Sequence, residues 1–422
     1  MSELQCDIFI SGAGVAGATA GLLAAQAGLS VIIVDKRKTA SDYKELCTHF
    51  VQPAAAPILK ALGIDCDLAQ IDGVRTKAAF RTMTGWIDPG DDYSPAEGGD
   101  ALWAYNLERS RLDPYLRRRL AQAPDLRLAM NTTVITAEPQ QGAGWTIKLS
   151  EGGTTETVVH ARALVAADGR LSPLAQRLGN DLILQGDNDR SCVFGYYAGV
   201  LPPSQNRSLF LLDDASMSFL YPLAGRRALL SAYIERQTFL AWPASEQDSR
   251  LRAMFDVDER VPDVSGARLE GRLYGYRHYP NFVRRPGYRG AFFIGDAVAS
   301  LDPMSGVGCS FAMVAASMAI ETIVEALKEG ASDIGVAAAA YSARFEHAIL
   351  PHAKGIMADS LIGRTPEATN AVYRQVTADV QLQRKFIALT GRLITPSEFQ
   401  RAFLSSIAKS RHAPSIQDAS HA

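Results

Sequence analysis

Apolar and polar positions in the N-terminal segment alternate in the order strand, helix, strand. Residues 6–11 form a short apolar run rich in Ile and Phe, which is long enough for one buried strand. Residues 15–27 are rich in Ala and Leu, and they predict a helix that ends at Gly28. Residues 30–34 are mostly β-branched and predict a second strand, with Asp35 at its end. The rest of the chain is organised around this strand–helix–strand unit.

A glycine-rich turn joins the first strand to the helix. Gly12, Gly14 and Gly17 have the spacing Gly-x-Gly-x-x-Gly, in which the first glycine permits a tight turn, the second lets the backbone approach a pyrophosphate and the third lets helix and strand pack closely. The helix N-terminus then offers free N–H groups and a positive dipole end to phosphates. Asp35 follows Gly17 by 18 residues and can accept hydrogen bonds from a ribose diol. These parts occur together in the expected order, so they predict a dinucleotide-binding site.

The hydrophobic pattern changes between residues 185 and 279. Aromatic and β-branched residues alternate with other residues there, and only one helical segment, residues 246–255, interrupts them. We predict a largely antiparallel sheet inserted into the nucleotide-binding fold. One side of such a sheet must face the cofactor domain, so some of its aromatic side chains should line a pocket. The predicted strands are residues 193–200, 207–212, 217–223, 228–234 and 268–276.

Two more glycine–acid motifs follow buried strands. Residues 163–167 are small and apolar, and Asp168 and Gly169 come directly after them, where doubly wound sheets bind ligands. A second buried strand ends in Gly295 and Asp296. A Gly-x-Gly turn then opens a long helix of small residues, so its N–H groups and positive dipole end could face an electron-rich ligand. The residues of that loop are Pro303, Gly306, Val307 and Gly308.

Basic residues near these motifs leave two interpretations open. Lys36 and Arg37 follow the second strand and could contact the ribose or a phosphate, or they could be solvated surface charges. Arg109 precedes the helix that is predicted to start near Pro114 and to continue over residues 115–123, and it could reach a phosphate or the ring of a cofactor. The three consecutive arginines at 117–119 are expected on the solvated side of that helix.

In this order, the three motifs resemble the single-component FAD-dependent aromatic hydroxylases, the para-hydroxybenzoate hydroxylase-like flavoprotein monooxygenases. The resemblance covers residues 1 to about 330. It implies bound FAD, with NAD(P)H as a transient co-substrate, because the chain has only one complete dinucleotide motif. It also implies hydroxylation or epoxidation of a small aromatic or polyketide-like substrate with O2, through a flavin hydroperoxide.

The resemblance also assigns roles to individual residues. Asp168 and Gly169 would contact FAD and NAD(P)H, Asp296 would bind the ribityl or ribose chain, and Arg109 would lie against FAD. The chemistry requires no obligatory base, so His49, Tyr221 and Tyr233 are only candidates for a catalytic side chain. The ADP half of FAD would be held by Gly12, Gly14, Gly17 and Asp35, and the flavin's pyrimidine edge by Pro303, Gly306, Val307 and Gly308.

The expected fold class is α/β, with a Rossmann-like FAD-binding domain, an inserted mainly antiparallel β-sheet substrate domain and a helical C-terminus. The FAD-binding domain is expected to be discontinuous, and the substrate domain takes two segments. The boundaries are 1–74, 100–184 and 281–330 for the FAD-binding domain, 75–99 and 185–280 for the substrate-binding domain, and 331–422 for the C-terminal helical region.

Length and composition fit a globular protein with a sizeable core. The chain has 422 residues, 47% apolar and 21% charged, with a net charge of −2, so nothing indicates nucleic acid or an anionic membrane as a partner. The first predicted strand begins near the N-terminus, and no apolar run reaches the ~18–20 residues of a membrane span. We therefore expect a cytoplasmic protein without a signal peptide or membrane span. Its partners would be a small-molecule substrate and O2, and it would act as a monomer or a homodimer.

The five cysteines are scattered along the chain, at positions 6, 47, 66, 192 and 309. No Cys-x-x-Cys pair occurs, so they are expected to be buried or free thiols in a reducing cytoplasm, and no metal site is predicted. The same absence argues against a disulfide-type flavin reductase, which needs a redox pair beside the flavin.

Three other functions remain open on the same fold. A flavin-dependent reductase of isoprenoid double bonds would act without incorporating oxygen. A flavin-dependent halogenase carries a Trp-x-Trp-x-Ile-Pro motif, which residues 86–89 do not match, and Lys77 lies only near the expected distance along the chain for the halogenase lysine. A non-catalytic FAD-binding protein is the third alternative, because fold alone does not fix function.

Overall fold

The computed structural model of the chain describes residues 2–90, 93, 101–140, 144–153, 155–213, 216–330, 334–362 and 366–412. The strands are β1 Ser2–Ser11, β2 Val31–Val34, β3 Phe50–Val51, β4 Val74–Thr82, β5 Gly85–Ile87, β6 Ala104–Asn106, β7 Leu126–Ala129, β8 Thr132–Pro139, β9 Trp145–Glu151, β10 Thr155–Ala166, β11 Leu182–Gly186, β12 Arg190–Ala198, β13 Arg207–Leu212, β14 Ser216–Leu223, β15 Arg227–Glu235, β16 Arg268–Tyr276, β17 Asn281–Arg284, β18 Gly287–Tyr288, β19 Ala291–Phe293 and β20 Ala299–Ser300. The helices are α1 Val15–Gln26, α2 Ala56–Ala61, α3 Arg109–Gln122, α4 Pro173–Leu178, α5 Arg236–Leu240, α6 Gln247–Ala253, α7 Gly308–Lys328, α8 Gly335–Ala348, α9 Leu350–Asp359, α10 Pro366–Ala378, α11 Val380–Thr390 and α12 Pro396–His412.

The first sheet is the parallel sheet of a nucleotide-binding fold. Its strands lie in the order β18-β19-β10-β1-β2-β7, and every pair from β19 to β7 is parallel. Residues 163–166 of β10 and residues 8–10 of β1 have almost no exposed surface, and helices α1, α3 and α8 pack on strands of this sheet. The hairpin of β8 and β9 continues from β10. The predicted Rossmann-like architecture is confirmed.

The second sheet is mainly antiparallel, as predicted. Its order is β16-β12-β15-β14-β13-β4-β6-β3, with β5 paired to β4, and only β13 and β4 run parallel. This sheet also contains β3 and β6, which lie in the segments 1–74 and 100–184 that were predicted to belong to the FAD-binding domain. A small third sheet has the order β11-β17-β20, and both of its strand pairs are antiparallel.

Three local expectations differ from the structure. Helix α3 begins at Arg109 rather than at 115, and Pro114 lies inside it, so the predicted start at a proline was wrong. The buried strand expected over 163–167 is the end of a longer strand, β10, which begins at Thr155. A second short helix, α5, interrupts the inserted sheet beside α6. The glycines and prolines of residues 82–99 predict turns, and part of that segment lies outside the described residues.

The C-terminal helices form two groups. Helices α8 and α9 pack beside α7, whereas α10 to α12 cover the second sheet, where Phe386 meets Phe80 edge-on at 5.1 Å between ring centroids. Helix α7 is long and apolar enough to cross a membrane, although no run of that length was expected. Within its most apolar window, 67% of the residues are buried inside the fold, which is typical of a core helix. The last dozen residues are polar, which predicts a disordered tail, and residues 413–422 lie outside the described residues.

Candidate functional site

The first two glycine–acid motifs are in direct contact. Gly12 has a φ of +105°, and a Cβ atom there would lie 2.3 Å from the carbonyl oxygen of Ala167, the residue before Asp168. A Cβ atom on Gly17 would lie 1.8 Å from the carbonyl oxygen of Gly12. Both positions therefore require glycine, because only its missing side chain lets the loop, α1 and the end of β10 pack this closely.

The third motif joins the same edge of the sheet. Gly295 has a φ of +59°, and a Cβ atom there would lie 2.7 Å from the Ala16 side chain at the start of α1 and 3.6 Å from Ala312 in α7. Asp296 is thereby held beside the starts of both helices. The three motifs, which are far apart in the sequence, converge at the carboxyl edge of the parallel sheet.

Both helix starts are open toward this edge. No atom lies within 4 Å of the Cβ position of Gly14 or of Gly308. Neither α1 nor α7 has a side-chain cap or an acidic residue in its first turn, so their first N–H groups lack a side-chain acceptor. One open helix start suits a pyrophosphate and the other suits the electron-rich edge of a flavin, so the residues present fit FAD.

Asp35 and Arg117 fasten the glycine loop from two sides. The buried Asp35 carboxylate accepts hydrogen bonds from the Ala13 N–H at 2.7 Å and from the Arg37 N–H at 2.8 Å. The Arg37 guanidinium also pairs with Asp35 at 2.9 Å, while Lys36 is exposed. Arg117 is fully buried and donates to the Ala13 carbonyl at 3.1 Å, so its expected place on a solvated face was wrong.

Asp168 is part of a cap on a short helix. Its carboxylate accepts hydrogen bonds from the Ser172 hydroxyl at 2.6 Å and from the Leu174 N–H at 2.9 Å. Burial raises the pKa of Asp168 above its ordinary value. Gly169 follows with a φ of +84° and open space around it. The guanidinium of the next residue, Arg170, lies over the Tyr279 ring, 4.1 Å from the ring centroid.

Lys44 connects the third motif to helix α3. Its ammonium lies 2.7 Å from Asp296 Oδ2, and this carboxylate raises the pKa of Lys44 above its ordinary value. The Lys44 backbone N–H donates to Asp113 at 3.2 Å. Asp113 also accepts two hydrogen bonds from the buried Arg109 guanidinium, at 2.6 and 3.0 Å. A buried pair of this kind keeps its charges only because each neutralises the other.

A cavity of about 90 Å³, partly open to solvent, lies beside these groups. The first turn of α7 forms one wall and the loop at residues 44–50 another. The second sheet contributes aromatic rings. The predicted residues that line it are His49, Asp296, Pro303, Gly306, Val307 and Gly308; other lining residues include Phe50, Phe194, Tyr276 and Tyr279.

His49 is held in a defined orientation at the cavity wall. Its backbone has a φ of +63°, in the left-handed region that few histidines adopt. The ring Nδ1 accepts the Arg109 backbone N–H at 3.0 Å, and Nε2 contacts the Tyr196 hydroxyl. Because Nδ1 is an acceptor, the neutral ring carries its proton on Nε2 and donates it to Tyr196.

The other two candidate catalytic residues lie behind the cavity wall. Tyr221 and Tyr233 are fully buried in the aromatic cluster of the second sheet, and neither is among the described residues that line the cavity. Burial raises the pKa of both phenols well above the ordinary value, so they stay protonated at neutral pH. Their catalytic roles stay predictions.

Sequence reasoning missed a pair of cysteines at the same place. Cys47 and Cys309 both line the cavity, and the interaction with Cys309 lowers the pKa of Cys47 below its ordinary value. Their spacing in the chain carries no signal, because the two residues come to one cavity only after the loop and α7 have packed. Among the described residues no group of three or more His, Cys, Asp or Glu could hold a metal ion.

Comparisons with known proteins agree with this geometry. A family model described as "FAD binding domain" matches residues 5–348. A digeranylgeranylglycerophospholipid reductase of Methanosarcina mazei is 24% identical over 331 residues, which cover 77% of this chain and 76% of the relative. A ubiquinone hydroxylase of Rhodospirillum rubrum is 25% identical over 344 residues, covering 78% and 75%.

A solved structure has a similar fold. The p-nitrophenol 4-monooxygenase of Pseudomonas putida DLL-E4 superimposes with a TM-score of 0.75 at 17% sequence identity. The match covers 94% of this chain and all of that chain. The similarity extends over both sheets and the C-terminal helices, so it concerns the whole architecture rather than the glycine motif alone.

Proposed function

The chain belongs to the FAD-binding domain family, and from this premise we propose that it is an FAD-dependent monooxygenase. It would use NAD(P)H and O2 to hydroxylate or epoxidise a small aromatic or polyketide-like molecule. The observation that carries the proposal is the aromatic-walled cavity that opens onto the uncapped start of α7. A substrate ring would be stacked there beside the reacting edge of the cofactor.

The chain's own residues bind and orient the cofactor in this proposal. The loop at Gly14 and the start of α1 would hold the pyrophosphate, and Asp296 the ribityl chain. Arg109 would lie against the isoalloxazine, with the N–H groups from Gly308 onward facing its pyrimidine edge. Bound FAD supplies the redox chemistry, carrying electrons from NAD(P)H to O2 and an oxygen atom to the substrate.

The aromatic wall of the second sheet would position the substrate and exclude water. Phe50 stacks on Tyr221 with 5.1 Å between ring centroids, and Phe194 stacks on Tyr274 at 5.4 Å. These stacked pairs hold the rings that face the cavity in fixed places. The His49–Tyr196 hydrogen bond supplies the adjacent polar group, which could orient a substrate hydroxyl or carbonyl.

The proposal is tested by substrate-stimulated oxidation of NAD(P)H. The yellow holoenzyme is screened with phenols, aromatic acids and aromatic polyketides under ¹⁸O2, and products are analysed by mass spectrometry. We expect at least one compound to stimulate NAD(P)H oxidation and to gain one labelled oxygen atom. Reduction of flavin by NAD(P)H without labelled product from any aromatic class would contradict the proposal.

The sequence comparison favours one second candidate, reduction of an isoprenoid double bond. The digeranylgeranylglycerophospholipid reductase of Methanosarcina mazei matches 77% of this chain, and much of the cavity wall is apolar. Such a reaction would run anaerobically and would add two hydrogen atoms to an alkene. Anaerobic saturation of a geranylgeranyl compound, without oxygen incorporation under air, would select this candidate over the monooxygenase.

The position of Lys77 does not favour halogenation. Its side chain is fully buried, its ammonium lies 3.5 Å from Asp88 Oδ1, and Arg207 also pairs with this carboxylate at 3.2 Å. Lys77 is not among the described residues lining the cavity. A lysine that relays a halogenating species must reach the substrate, so its burial in this ion-pair group argues against that role.

A further inference from the structure

Four buried hydroxyl groups on one face of the second sheet have no hydrogen-bond partner within the described part of the chain. They belong to Tyr221, Ser231, Tyr233 and Tyr276. Buried hydroxyl groups in folded proteins are nearly always paired, because an unpaired one has lost its water without gaining a replacement. A group of four on one face therefore indicates that another polar molecule completes their hydrogen bonds.

The register of the strands places two of these tyrosines on either side of a residue that lines the cavity. Cys192 of β12 is paired with Tyr233 of β15 and with Tyr276 of β16. Directly paired residues point to the same face of a sheet, so the three side chains form one row across it. Cys192 and Tyr276 line the cavity, and the fully buried Tyr233 lies behind that wall. The thiol between the two phenols is only a weak hydrogen-bonding group.

The next row of the same face adds a third hydroxyl group. Ser231 lies two residues before Tyr233 on β15, so its side chain points to the same face. Its paired neighbours are Phe194 of β12, which lines the cavity, and Phe219 of β14, and neither ring offers a conventional hydrogen bond. Ser231, Tyr233 and Tyr276 thus form a polar strip between apolar rings, which we name the hydroxyl strip.

The charges around the cavity favour an uncharged occupant. Among the described residues that line it, Lys44 is the only lysine or arginine, and its ammonium lies 2.7 Å from Asp296 Oδ2. A carboxylate would therefore find no free cation there. Burial raises the pKa of Tyr233 and Tyr276 well above the ordinary value, so both phenols stay protonated and can donate a hydrogen bond. Such donors suit a hydroxyl or carbonyl oxygen.

We propose that the hydroxyl strip is a subsite for the hydroxyl or carbonyl oxygens of an uncharged aromatic substrate. The inference rests on the proposed monooxygenase function and narrows its substrate class. An oxygen on the substrate edge that faces the second sheet accepts a hydrogen bond from Tyr276 at the cavity wall. A second oxygen, or a water bound to the first, pairs with Tyr233 and Ser231 behind the wall. A hydrocarbon chain would leave these groups unpaired, so the subsite disfavours an isoprenoid chain.

Equilibrium dialysis of the oxidised holoenzyme tests the subsite without NAD(P)H and without turnover. The ligands are naphthalene, naphthol, naphthoresorcinol and naphthoate, which share one ring system and differ in oxygen content and charge. We expect naphthoresorcinol to bind at least tenfold more tightly than naphthalene or naphthoate, because only its uncharged hydroxyl groups can pair with the strip. Naphthol should lie between them.

Two results of this experiment would overturn the inference. One is equal affinity of the holoenzyme for naphthoresorcinol and for either naphthalene or naphthoate. The other is the absence of binding by both hydroxyl compounds. If the expected order of affinities is found but the screen under ¹⁸O2 yields no oxygenated product, the subsite stands and only the proposed reaction fails.

Removal of single hydroxyl groups separates a ligand subsite from a structural role. Tyr233→Phe and Tyr276→Phe should each weaken naphthoresorcinol binding about tenfold and leave naphthalene binding unchanged. These hydroxyl groups are unpaired in the free protein, so both variants should unfold at the same or a higher urea concentration than the unsubstituted protein. Unchanged affinity for naphthoresorcinol in either variant would overturn the inference.

Tyr197→Phe is the matched control on the opposite face of β12. Its buried hydroxyl donates to Asp248 at 2.7 Å, so it is paired where those of the strip are not. This variant should unfold at a lower urea concentration and bind naphthoresorcinol normally. Weaker naphthoresorcinol binding in Tyr197→Phe, equal to that in Tyr276→Phe, would show a general loss of packing and would also overturn the inference.

Discussion

The starts of helices α1 and α7 have the same backbone chemistry and different surroundings. Both follow a glycine-rich loop, lack a side-chain cap and face open space. The α1 start is held by Asp35 and Arg117, and it presents only backbone to a ligand. The α7 start adds the Cys309 thiol, the Arg109 cation and a cavity with aromatic walls.

The difference separates a binding end from a reacting end. A helix start that presents only N–H groups can hold a phosphate and do little else. A helix start with a cation and an apolar cavity beside it can also stabilise charge that develops on a ring. The comparison predicts that substitutions at α1 will act on cofactor retention and folding, whereas those at α7 will act on the chemistry.

The largest expected effect is on folding, and it should differ between two glycines of the same loop, Gly17 and Gly14. Gly17→Val places carbon within 1.8 Å of the Gly12 carbonyl oxygen, so we expect a loss of about 3 kcal/mol or more and insoluble protein. Gly14→Val meets open space and an ordinary extended backbone, so this variant should fold but lack flavin. Soluble expression and the flavin absorbance per protein distinguish them. A yellow Gly14→Val protein would refute the proposed pyrophosphate contact.

The next effect concerns the ion pair beneath the α7 start. Arg109→Met leaves the Asp113 carboxylate buried and unpaired, so we expect unfolding in urea to be easier by about 3–5 kcal/mol. The double variant Arg109→Met/Asp113→Leu should recover most of that stability, although it lacks the same cofactor contact. Equal stability of the single and double variants would show that the pair is not the cause.

A smaller effect is expected at the third motif. Asp296→Ala should weaken FAD binding by roughly 10–100-fold, because the ribityl contact and the Lys44 ion pair are both lost. Flavin fluorescence on titration of the apoprotein gives the dissociation constant. Glu321→Ala, at an exposed position later in α7, is the control and should bind FAD normally. Unchanged affinity in Asp296→Ala would remove this residue from the site.

The smallest effect is a shift in a pH profile. The lowered pKa of Cys47 means that its thiolate persists to a lower pH than that of a free thiol, whose pKa is about 8.5. Alkylation by iodoacetamide should therefore slow only as the pH falls below that range. Cys309→Ala removes the interaction that lowers this pKa most, so the midpoint should move to higher pH. Identical profiles in both proteins would count against that interaction.

The local pattern of residues was sufficient to predict the bounds of several strands and of helix α1. The strands β13 and β16 begin and end where the alternation predicts, and α1 follows the glycine turn as expected. The start of α3 was misplaced, because proline is favoured in a first turn but does not always mark one. The family and its cofactor also followed from three motifs in sequence, since each motif has its own spacing.

Only the tertiary structure decided which of these residues meet. Arg117 lies in a run of arginines that the sequence places on a solvated face, yet the fold buries it against the glycine loop. The hydrogen bond between His49 and Arg109 joins segments that have no common spacing, and Cys47 and Cys309 come to the same cavity from distant parts of the chain. Glycine turns and strand alternation are properties of neighbouring residues, so sequence determines them. Contacts between distant loops depend on how sheets and helices pack, which no local pattern encodes.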